Sequence, residues 1–208
     1  MIRRAARGLA ATALALTLPL VLGGCISLFP KQEPAALYSF GVTGVAPAQT
    51  QPARFTVLTE QLGFDRIAST DRILTVNGNE IAYIKGARWA APAPQLFASA
   101  EMRAFDLVGG PARLVGAGEG GRPDALLKLD VLRFEARYTN GMTAPPTIVV
   151  RVHATLVRAR DRAVAGERVF EASVPASDNR VGPISQAFDQ ATTGVLTDLV
   201  TWVGSAGG

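Results

Sequence analysis

The sequence predicts an α+β fold, in which a mostly antiparallel sheet of about five to seven strands packs against two helices in a single domain. Three patterns carry this prediction: a hairpin signal at Asn77-Gly78, long segments of alternating apolar and polar residues, and a long amphipathic helix near the end of the chain. Alternation indicates strands with one buried face, and apolar residues three and four apart indicate a helix with one buried stripe. Each apolar surface needs cover, so the helices are expected to pack on the sheet.

The first half of the chain contains four short strand candidates. They cover residues 37–42, 54–59, 72–76 and 80–85. The last two are separated by Asn77-Gly78-Asn79, and an Asn-Gly pair is the strongest short-range hairpin signal. These two segments are therefore predicted to form an antiparallel hairpin.

Residues 94–108 have the apolar spacing of a helix. Pro94 suits its first turn and Gly109 suits its end, because proline is favoured at helix starts and glycine just beyond helix ends. A short strand is predicted at 112–115. No Gly-Lys-Ser/Thr motif accompanies the glycine-rich stretch 116–121, so it is expected to be a connecting loop and not a phosphate-binding loop.

Three longer strands are predicted at 125–138, 148–158 and 164–174. The apolar positions of the first change phase near Val131, which indicates a β-bulge. In the third, Val164 and Phe170 are placed on the apolar side. The connection between the second and third segments is short, so these strands are predicted to be antiparallel neighbours.

The clearest helix closes the chain. Asp178 or Asn179 is predicted to cap it, and Gly204 is predicted to stop it. A membrane-surface helix would carry Lys and Arg on its polar face, whereas this helix carries Asp189 and Asp198. Packing on the sheet is therefore favoured for its apolar stripe, which consists of Val181, Ile184, Phe188, Ala191, Val195, Leu199 and Trp202.

The N-terminus has the pattern of an export signal. Three arginines, at positions 3, 4 and 7, precede an apolar run from Leu9 to Leu22. This run is shorter than the about 20 residues that span a bilayer, as in cleaved signals. Leu22-Gly23-Gly24-Cys25 then resembles the bacterial lipobox, and Cys25 is the only cysteine. We predict a signal peptide at 1–24, a lipidated Cys25 that begins a tether at 25–36, and a folded domain at 37–208.

Acylation of Cys25 would anchor the chain to a membrane, because each buried CH₂ contributes about 0.8 kcal/mol. Ile26 stands where an aspartate retains enterobacterial lipoproteins in the inner membrane. Resemblance to that sorting rule favours the periplasmic face of the outer membrane over the inner membrane. Three of the 21 basic residues and none of the 17 acidic residues lie in the signal, which leaves a net charge of +1. No clustered basic face is visible, so nucleic acid is not an expected partner.

The residues predict no catalytic site, metal or cofactor. A hydroxyl nucleophile would need a histidine base and an acid around it, and the lone His153 lies in no such motif. Zinc sites need several Cys, His or carboxylate ligands, which one histidine and a lipidated cysteine do not supply. His153 is instead expected to be a surface or hydrogen-bonded residue.

A partner interface is predicted at Asp71, Arg72, Tyr83, Arg88 and Trp89. Arginine, tyrosine and tryptophan are favoured at interface hot spots, and these residues lie in a region with turn chemistry. The alternative is that Trp89 anchors the core and Arg88 is its solvated neighbour.

Several short motifs follow one another along the chain. They are Leu37-Tyr38-Ser39-Phe40, Ser69-Thr70-Asp71-Arg72-Ile73, Ile81-Ala82-Tyr83 with Ala87-Arg88-Trp89, the strand from Asp130 to Tyr138, Ala187-Phe188-Asp189-Gln190-Ala191 and Trp202-Val203. In this order they resemble the ABC-type transport auxiliary lipoproteins, the PqiC-like components of MCE transport systems. An additional Asp-Arg-Ile triplet, at 65–67, leaves open which of the two triplets would face a partner.

The resemblance implies a non-enzymatic accessory subunit. Such a subunit works with an MCE-domain protein, a permease and an ATPase to move phospholipids or other hydrophobic molecules across the envelope. A bound hydrophobic cargo and a ring of identical subunits are both compatible with it, although no residue pattern requires either. The alternative class is a structural or assembly lipoprotein that supports an outer-membrane or cell-wall complex.

Overall fold

The computed structural model describes residues 34–41, 52–119 and 121–207. The predicted signal peptide, Cys25 and the tether up to residue 33 lie outside the described residues and stay predictions. Residues Pro34–Gly208 form one compact unit. The described elements are β1 (Ala36–Tyr38), β2 (Phe55–Phe64), β3 (Arg72–Asn77), β4 (Glu80–Trp89), α1 (Ala93–Val108), β5 (Ala112–Leu114), β6 (Ala125–Tyr138), β7 (Thr147–Arg158), β8 (Val164–Pro175) and α2 (Val181–Ala206).

Strand β6 is the centre of the sheet, because it pairs with three other strands. One edge of β6 is lined by β7, and β8 lies beside β7. The other edge of β6 is divided between β2, which pairs with its first half, and β3, which pairs with its end. The sheet then extends from β2 to β5, and from β3 through β4 to β1.

The predicted fold class is confirmed, with two helices and one sheet of eight strands in the described chain. The strand number is one above the predicted range. The two longest pairings, β6 with β7 and β7 with β8, are antiparallel, as is the predicted β3–β4 hairpin. Four shorter pairings are parallel, and these were not predicted because parallel strands are joined by long crossovers and leave no turn signal.

Both helices pack on one face of the sheet. Helix α2 lies across β7 and β8, and α1 lies beside α2. The alternation predicted for β7 is confirmed, since Ile148, Val150, Val152, Ala154 and Leu156 are fully buried beneath the helices. The opposite side of β7 carries Arg151, His153 and Thr155, so the uncovered face of the sheet is polar at the middle of this strand. No helix in the described part of the chain is long and apolar enough to cross a membrane.

Four strand pairings among the described residues contain a register shift, and two of these shifts bear on the sequence predictions. The register of β6 against β7 shifts between Val131 and Arg133, which confirms the bulge predicted near Val131. In the hairpin, the register passes from Leu74↔Tyr83 directly to Arg72↔Arg88, so residues 84–87 of β4 face a single residue of β3. Gly86 lies in this second bulge with a φ of 72°, a conformation that glycine adopts readily.

The start of α2 differs from the prediction. Arg180 is the N-cap, and no side chain caps the helix. Asn179 uses its side chain elsewhere: it accepts a hydrogen bond from the Tyr138 hydroxyl and donates one to the carbonyl of Met142, both at 2.7 Å. Asp178 pairs with Arg180 at 2.7 Å. Both predicted caps are therefore occupied by other contacts.

Two further sequence predictions were wrong. Gly204 does not stop α2, which continues for two more residues. Gly204 instead lets the helix approach Pro111, whose Cδ would lie 3.2 Å from an added Cβ. Val164 is 60% exposed and not on the apolar face, because the register of β8 against β7 shifts beside it.

Candidate partner-binding surface

The bulge of β4 brings two charged side chains of the predicted interface together. The Nη1 of Arg88 donates to both carboxylate oxygens of Asp71, at 3.1 and 2.8 Å. The backbone N–H of Trp89 donates to the Asp71 carbonyl at 2.7 Å, which holds the two segments side by side. The side chains of Arg88 and Asp71 are 50% and 39% exposed. The ion pair therefore lies at the surface in a fixed arrangement.

Arg72 and Tyr83 form a second contact beside this pair. The guanidinium carbon of Arg72 lies 3.9 Å from the centre of the Tyr83 ring, which is cation–π geometry. The Tyr83 hydroxyl donates to the carbonyl of Ile67 at 3.1 Å, so the first Asp-Arg-Ile triplet supports the ring through its backbone. Arg72 and Arg88 are also register partners in the hairpin. We name Asp71, Arg72, Tyr83 and Arg88 the hairpin patch.

Trp89, the fifth residue of the predicted interface, lies in the core and is 2% exposed. Its ring meets Phe40 and Phe188 edge to face, with centroids 5.0 and 5.1 Å away. Arg88 and Trp89 are consecutive on a strand, so their side chains point to opposite faces. The core alternative therefore describes Trp89, whose side chain is not available to a partner in this structure.

The residues after β1, Ser39–Gly41, are held between the two helices; we name them the clamped segment. From α2, the Ser185 hydroxyl donates to the Ser39 carbonyl at 3.4 Å, and the Asp189 carboxylate accepts a hydrogen bond from the N–H of Gly41. From α1, the Nε of Arg103 donates to the Gly41 carbonyl at 2.5 Å. The side chain of Phe40 is fully buried between these contacts. The clamped segment is therefore fixed to both helices within five residues of the end of the predicted tether.

Four of the motifs that carry the family resemblance meet in one aromatic cluster. Each contributes one ring, and neighbouring rings have centroids 4.9 to 6.1 Å apart. The four rings are those of Phe40, Trp89, Phe134 and Phe188. Many residues of the family motifs therefore pack in the core. The residues of the hairpin patch belong to the same motifs but lie at the surface.

His153 lies on the uncovered polar face of the sheet, as expected. Its Nε2 is 2.6 Å from the Oε1 of Glu167 on the neighbouring strand. The prediction that it is a hydrogen-bonded surface residue is therefore confirmed. Within the described ranges, no three His, Cys, Asp or Glu side chains are grouped so that they could hold a metal ion.

A buried acid, Glu101 of α1, was not predicted from the sequence. Its side chain is 2% exposed and accepts a hydrogen bond from the Thr59 hydroxyl at 2.6 Å. Burial raises the pKa of Glu101 to about 7, although the Thr59 bond acts in the opposite direction. A signal was present, because Glu101 lies four residues from both Phe97 and Phe105, which are buried on the same face of the helix.

A cavity near the C-terminal end of α2 was also missed. It is lined in part by Arg122, Arg158 and Arg160. The run Arg158-Ala159-Arg160-Asp161-Arg162 was an available signal. Arg122 comes from a different loop, however, and only the fold brings it to the other arginines.

These features define an α+β domain whose candidate site is an exposed polar surface on and beside the β3–β4 hairpin. The chain belongs to the family of ABC-type transport auxiliary lipoprotein components, whose family model matches residues 38–200. The family recognised from the sequence is thereby confirmed. The protein is accordingly a transport auxiliary of the lipoprotein type, a class of membrane-anchored envelope proteins.

Solved structures of similar proteins agree with the fold. The protein XCC0632 from Xanthomonas campestris, assigned to family DUF330, is 28% identical with a TM-score of 0.72, and the match covers 83% of this chain and 97% of that chain. An uncharacterized protein is 12% identical with a TM-score of 0.65, covering 82% and 99% of the two chains. This second likeness concerns the fold alone. No curated protein matches the chain by sequence.

Proposed function

We propose that this protein is an accessory lipoprotein of an MCE-type lipid transport system, anchored to the periplasmic face of the outer membrane, and that it acts by docking a partner and not by catalysis. The observation that carries the proposal is the family match over residues 38–200, which assigns the chain to the auxiliary components of ABC-type transport. The MCE-domain protein is the proposed partner. Its permease and ATPase complete the system.

The clamped segment supports an anchoring role. The tether of Cys25 would join the domain at Pro34, and the hydrogen bonds of Gly41 to both helices begin seven residues later. A lipid anchor at Cys25 would keep the domain close to the membrane, because the nine residues from Cys25 to Glu33 span at most about 30 Å. The clamp therefore suits a subunit whose task is to keep a transport complex at one membrane.

The hairpin patch supports docking. It presents two arginines and a tyrosine, residue types that often dominate binding energy at interfaces. Both contacts of the patch, Arg88 with Asp71 and Arg72 with Tyr83, are already formed in the isolated chain. A partner would therefore meet an ordered surface, which lowers the entropy cost of association.

Co-purification tests the docking proposal. The full chain carrying an affinity tag would be expressed with the MCE-domain protein, permease and ATPase of its own host and isolated in mild detergent. We expect the MCE-domain protein to co-purify with the wild type and with Arg133→Glu, a control at an exposed arginine of β6. We expect Arg88→Glu to lose it. Absence of the MCE-domain protein from the wild-type sample would contradict the proposal.

A charge swap separates docking from local folding. Arg88→Glu alone leaves two carboxylates facing each other, whereas Asp71→Arg combined with Arg88→Glu restores an ion pair with the charges exchanged. If the patch contacts the partner, the swapped protein should remain folded and still fail to co-purify. If the swap restores co-purification, the pair serves only the hairpin, and the docking surface lies elsewhere.

The alternative function, a structural or assembly lipoprotein, makes different predictions. Genes for an MCE-domain protein, a permease and an ATPase beside this gene would favour transport, whereas cell-wall synthases would favour the alternative. Mass spectrometry of lipids extracted from the purified protein then asks whether this subunit itself carries a hydrophobic cargo.

A further inference from the structure

A cavity of about 650 Å³ opens where the C-terminal end of α2 meets the ends of β6 and β7. Three arginines, Arg122, Arg158 and Arg160, line it together with apolar side chains that include Leu156, Ala165 and Ala206. We name this cavity the arginine pocket. The clamped segment bonds to the opposite half of α2, at Ser185 and Asp189. The pocket therefore lies about 25 Å along the helix from the contact between Gly41 and Asp189.

The guanidinium groups of the pocket have N–H donors that are not used in the contacts described for them. Arg122 donates to the carbonyl of Ala159 at 3.0 Å, and no carboxylate among the described residues lies within ion-pair distance of it. Arg158 and Arg160 share one carboxylate, that of Asp161, at 3.4 and 3.5 Å. Asp161 therefore pairs with two of the arginines, and Arg122 has no carboxylate partner among the described residues.

One acidic residue, Asp124, also lines the pocket. Its Oδ2 accepts hydrogen bonds from the backbone N–H and the hydroxyl of Thr56, at 2.8 and 2.9 Å. These bonds lower the pKa of Asp124 and keep it ionised. With Asp161 included, three positive charges stand against two negative ones, so the pocket favours an anion.

The chemistry of the arginine side chains indicates which anion the pocket would bind. Guanidinium groups bind phosphate oxygens through paired N–H donors and are the preferred side chains for such groups. The pocket also has an apolar part, because Leu156 lines it and is fully buried, and the end of α2 and its C-cap contribute only the small residues Ala206 and Gly207. An apolar group attached to the phosphate would find cover there.

We propose that the arginine pocket binds a phosphate-bearing anion, supplied either as the headgroup of an anionic phospholipid or as a free phosphate. The lipid source rests on the proposed transport function, whereas the anion chemistry does not. A phospholipid would place its phosphate between the arginines and its glycerol and acyl groups along the apolar side. Nothing in this arrangement requires the hairpin patch, whose residues do not line the pocket.

Calorimetric titration of the full acylated chain in a neutral detergent tests the proposal. The probes are dihexanoyl phosphatidylglycerol, dihexanoyl phosphatidylcholine and inorganic phosphate. The variant is Arg122→Gln with Arg160→Gln, and the control is Arg133→Gln on β6. We expect the wild type and the control to bind phosphatidylglycerol, more weakly as salt rises, and the double variant to bind it at least about tenfold more weakly. Thermal unfolding of each variant checks that it is folded.

The three probes separate the outcomes. Tighter binding of phosphatidylglycerol than of phosphate assigns the lipid source, and equal binding of both assigns free phosphate. Equal binding of phosphatidylcholine and phosphatidylglycerol, no binding of either anion, or no effect of the double variant would overturn the proposal. If the double variant loses the anion but keeps the MCE-domain protein, docking stands independently. If anion binding is normal while co-purification fails, the docking proposal alone is lost.

Discussion

The backbone N–H of Gly41 donates a hydrogen bond to the carboxylate of Asp189, which lies 148 residues further along the chain. Arg103 completes the contact from the other helix by donating to the Gly41 carbonyl. The beginning and the end of the domain are thus fastened at one residue. Because the proposed anchor at Cys25 precedes Gly41, these hydrogen bonds fix the first residues of the domain to both helices.

Gly41→Ala should be strongly destabilising. Gly41 has a φ of 63°, and an added Cβ would lie 2.3 Å from the Cβ of Ala100. Gly78→Ala is the matched control, since Gly78 has a φ of 58° with nothing within 4 Å. Backbone strain alone should cost about 1 kcal/mol in the control, and strain with overpacking about 3 kcal/mol at Gly41. Chemical unfolding followed by tryptophan fluorescence measures the stability of both variants. Equal losses of stability would show that the contact between the added Cβ and Ala100 is relieved at no cost.

Glu101 should make the domain less stable as the pH rises. Its pKa is raised from 4.5 to about 7 in the folded state, so the folded protein holds a proton that the unfolded chain releases. The stabilisation is complete below about pH 4.5 and is lost as the pH rises through about 7, by about 3 kcal/mol in total. The free energy of unfolding between pH 4 and pH 8, about the range of this transition, measures the loss.

Glu101→Gln removes the titrating group while it keeps the size of the side chain. The variant should lose this part of the pH dependence and should be more stable than the wild type at pH values above about 7. Glu119→Gln, at an exposed loop position, is the control and should follow the wild type. If the free energy of unfolding of Glu101→Gln depends on pH as strongly as that of the wild type, another group is responsible for the pH dependence.

Arg162→Gly should leave the domain no less stable than the wild type. Arg162 has a φ of 61° in the β7–β8 turn, a conformation that costs a non-glycine residue about 1–2 kcal/mol. The variant gives up an exposed ion pair with Glu60, but Lys128 keeps Glu60 paired at 3.5 Å. Arg160→Gly, in the same turn without a positive φ, should be less stable than the wild type. Thermal unfolding compares the two, and a clear loss in Arg162→Gly would show that the ion pair outweighs the strain.

Cys25→Ser should abolish acylation. The serine hydroxyl cannot replace the thiol in the lipobox, so the product should lack the acyl mass and should leave the membrane fraction on washing with high salt. Mass spectrometry and fractionation on a density gradient measure both properties, with Ser27→Ala as the control. Retention of the Cys25→Ser protein in washed membranes would contradict the anchor hypothesis.

Local patterns predicted the elements well. The Asn77-Gly78 turn, the bulge near Val131 and the buried stripe of β7 each depend on residues close in sequence, and each is confirmed. The parallel pairings of β2 and β3 with β6 join distant segments and have no local signature. The same limit applies to Gly204, because its role depends on Pro111 and not on its own neighbours.

The candidate site was only partly predictable. Asp71, Arg72, Tyr83 and Arg88 were selected by residue type, and the structure brings them together. Trp89 was selected for the same reason, yet it is in the core. Residue type alone does not distinguish a surface tryptophan from a core one. The bulge at Gly86, which sets the face to which each side chain of β4 points, was not visible in the sequence.

The central position of β6 has a consequence for the order of assembly. Both β2 and β3 pair with β6, which begins only at Ala125. As the chain emerges from its N-terminus, β2 and β3 must therefore wait for their central partner, and only the pairings among β1 to β5 can form earlier. Such delayed, non-local pairing is slow and leaves strand edges exposed. The newly made protein should therefore pass through an interval in which it depends on chaperones to avoid aggregation.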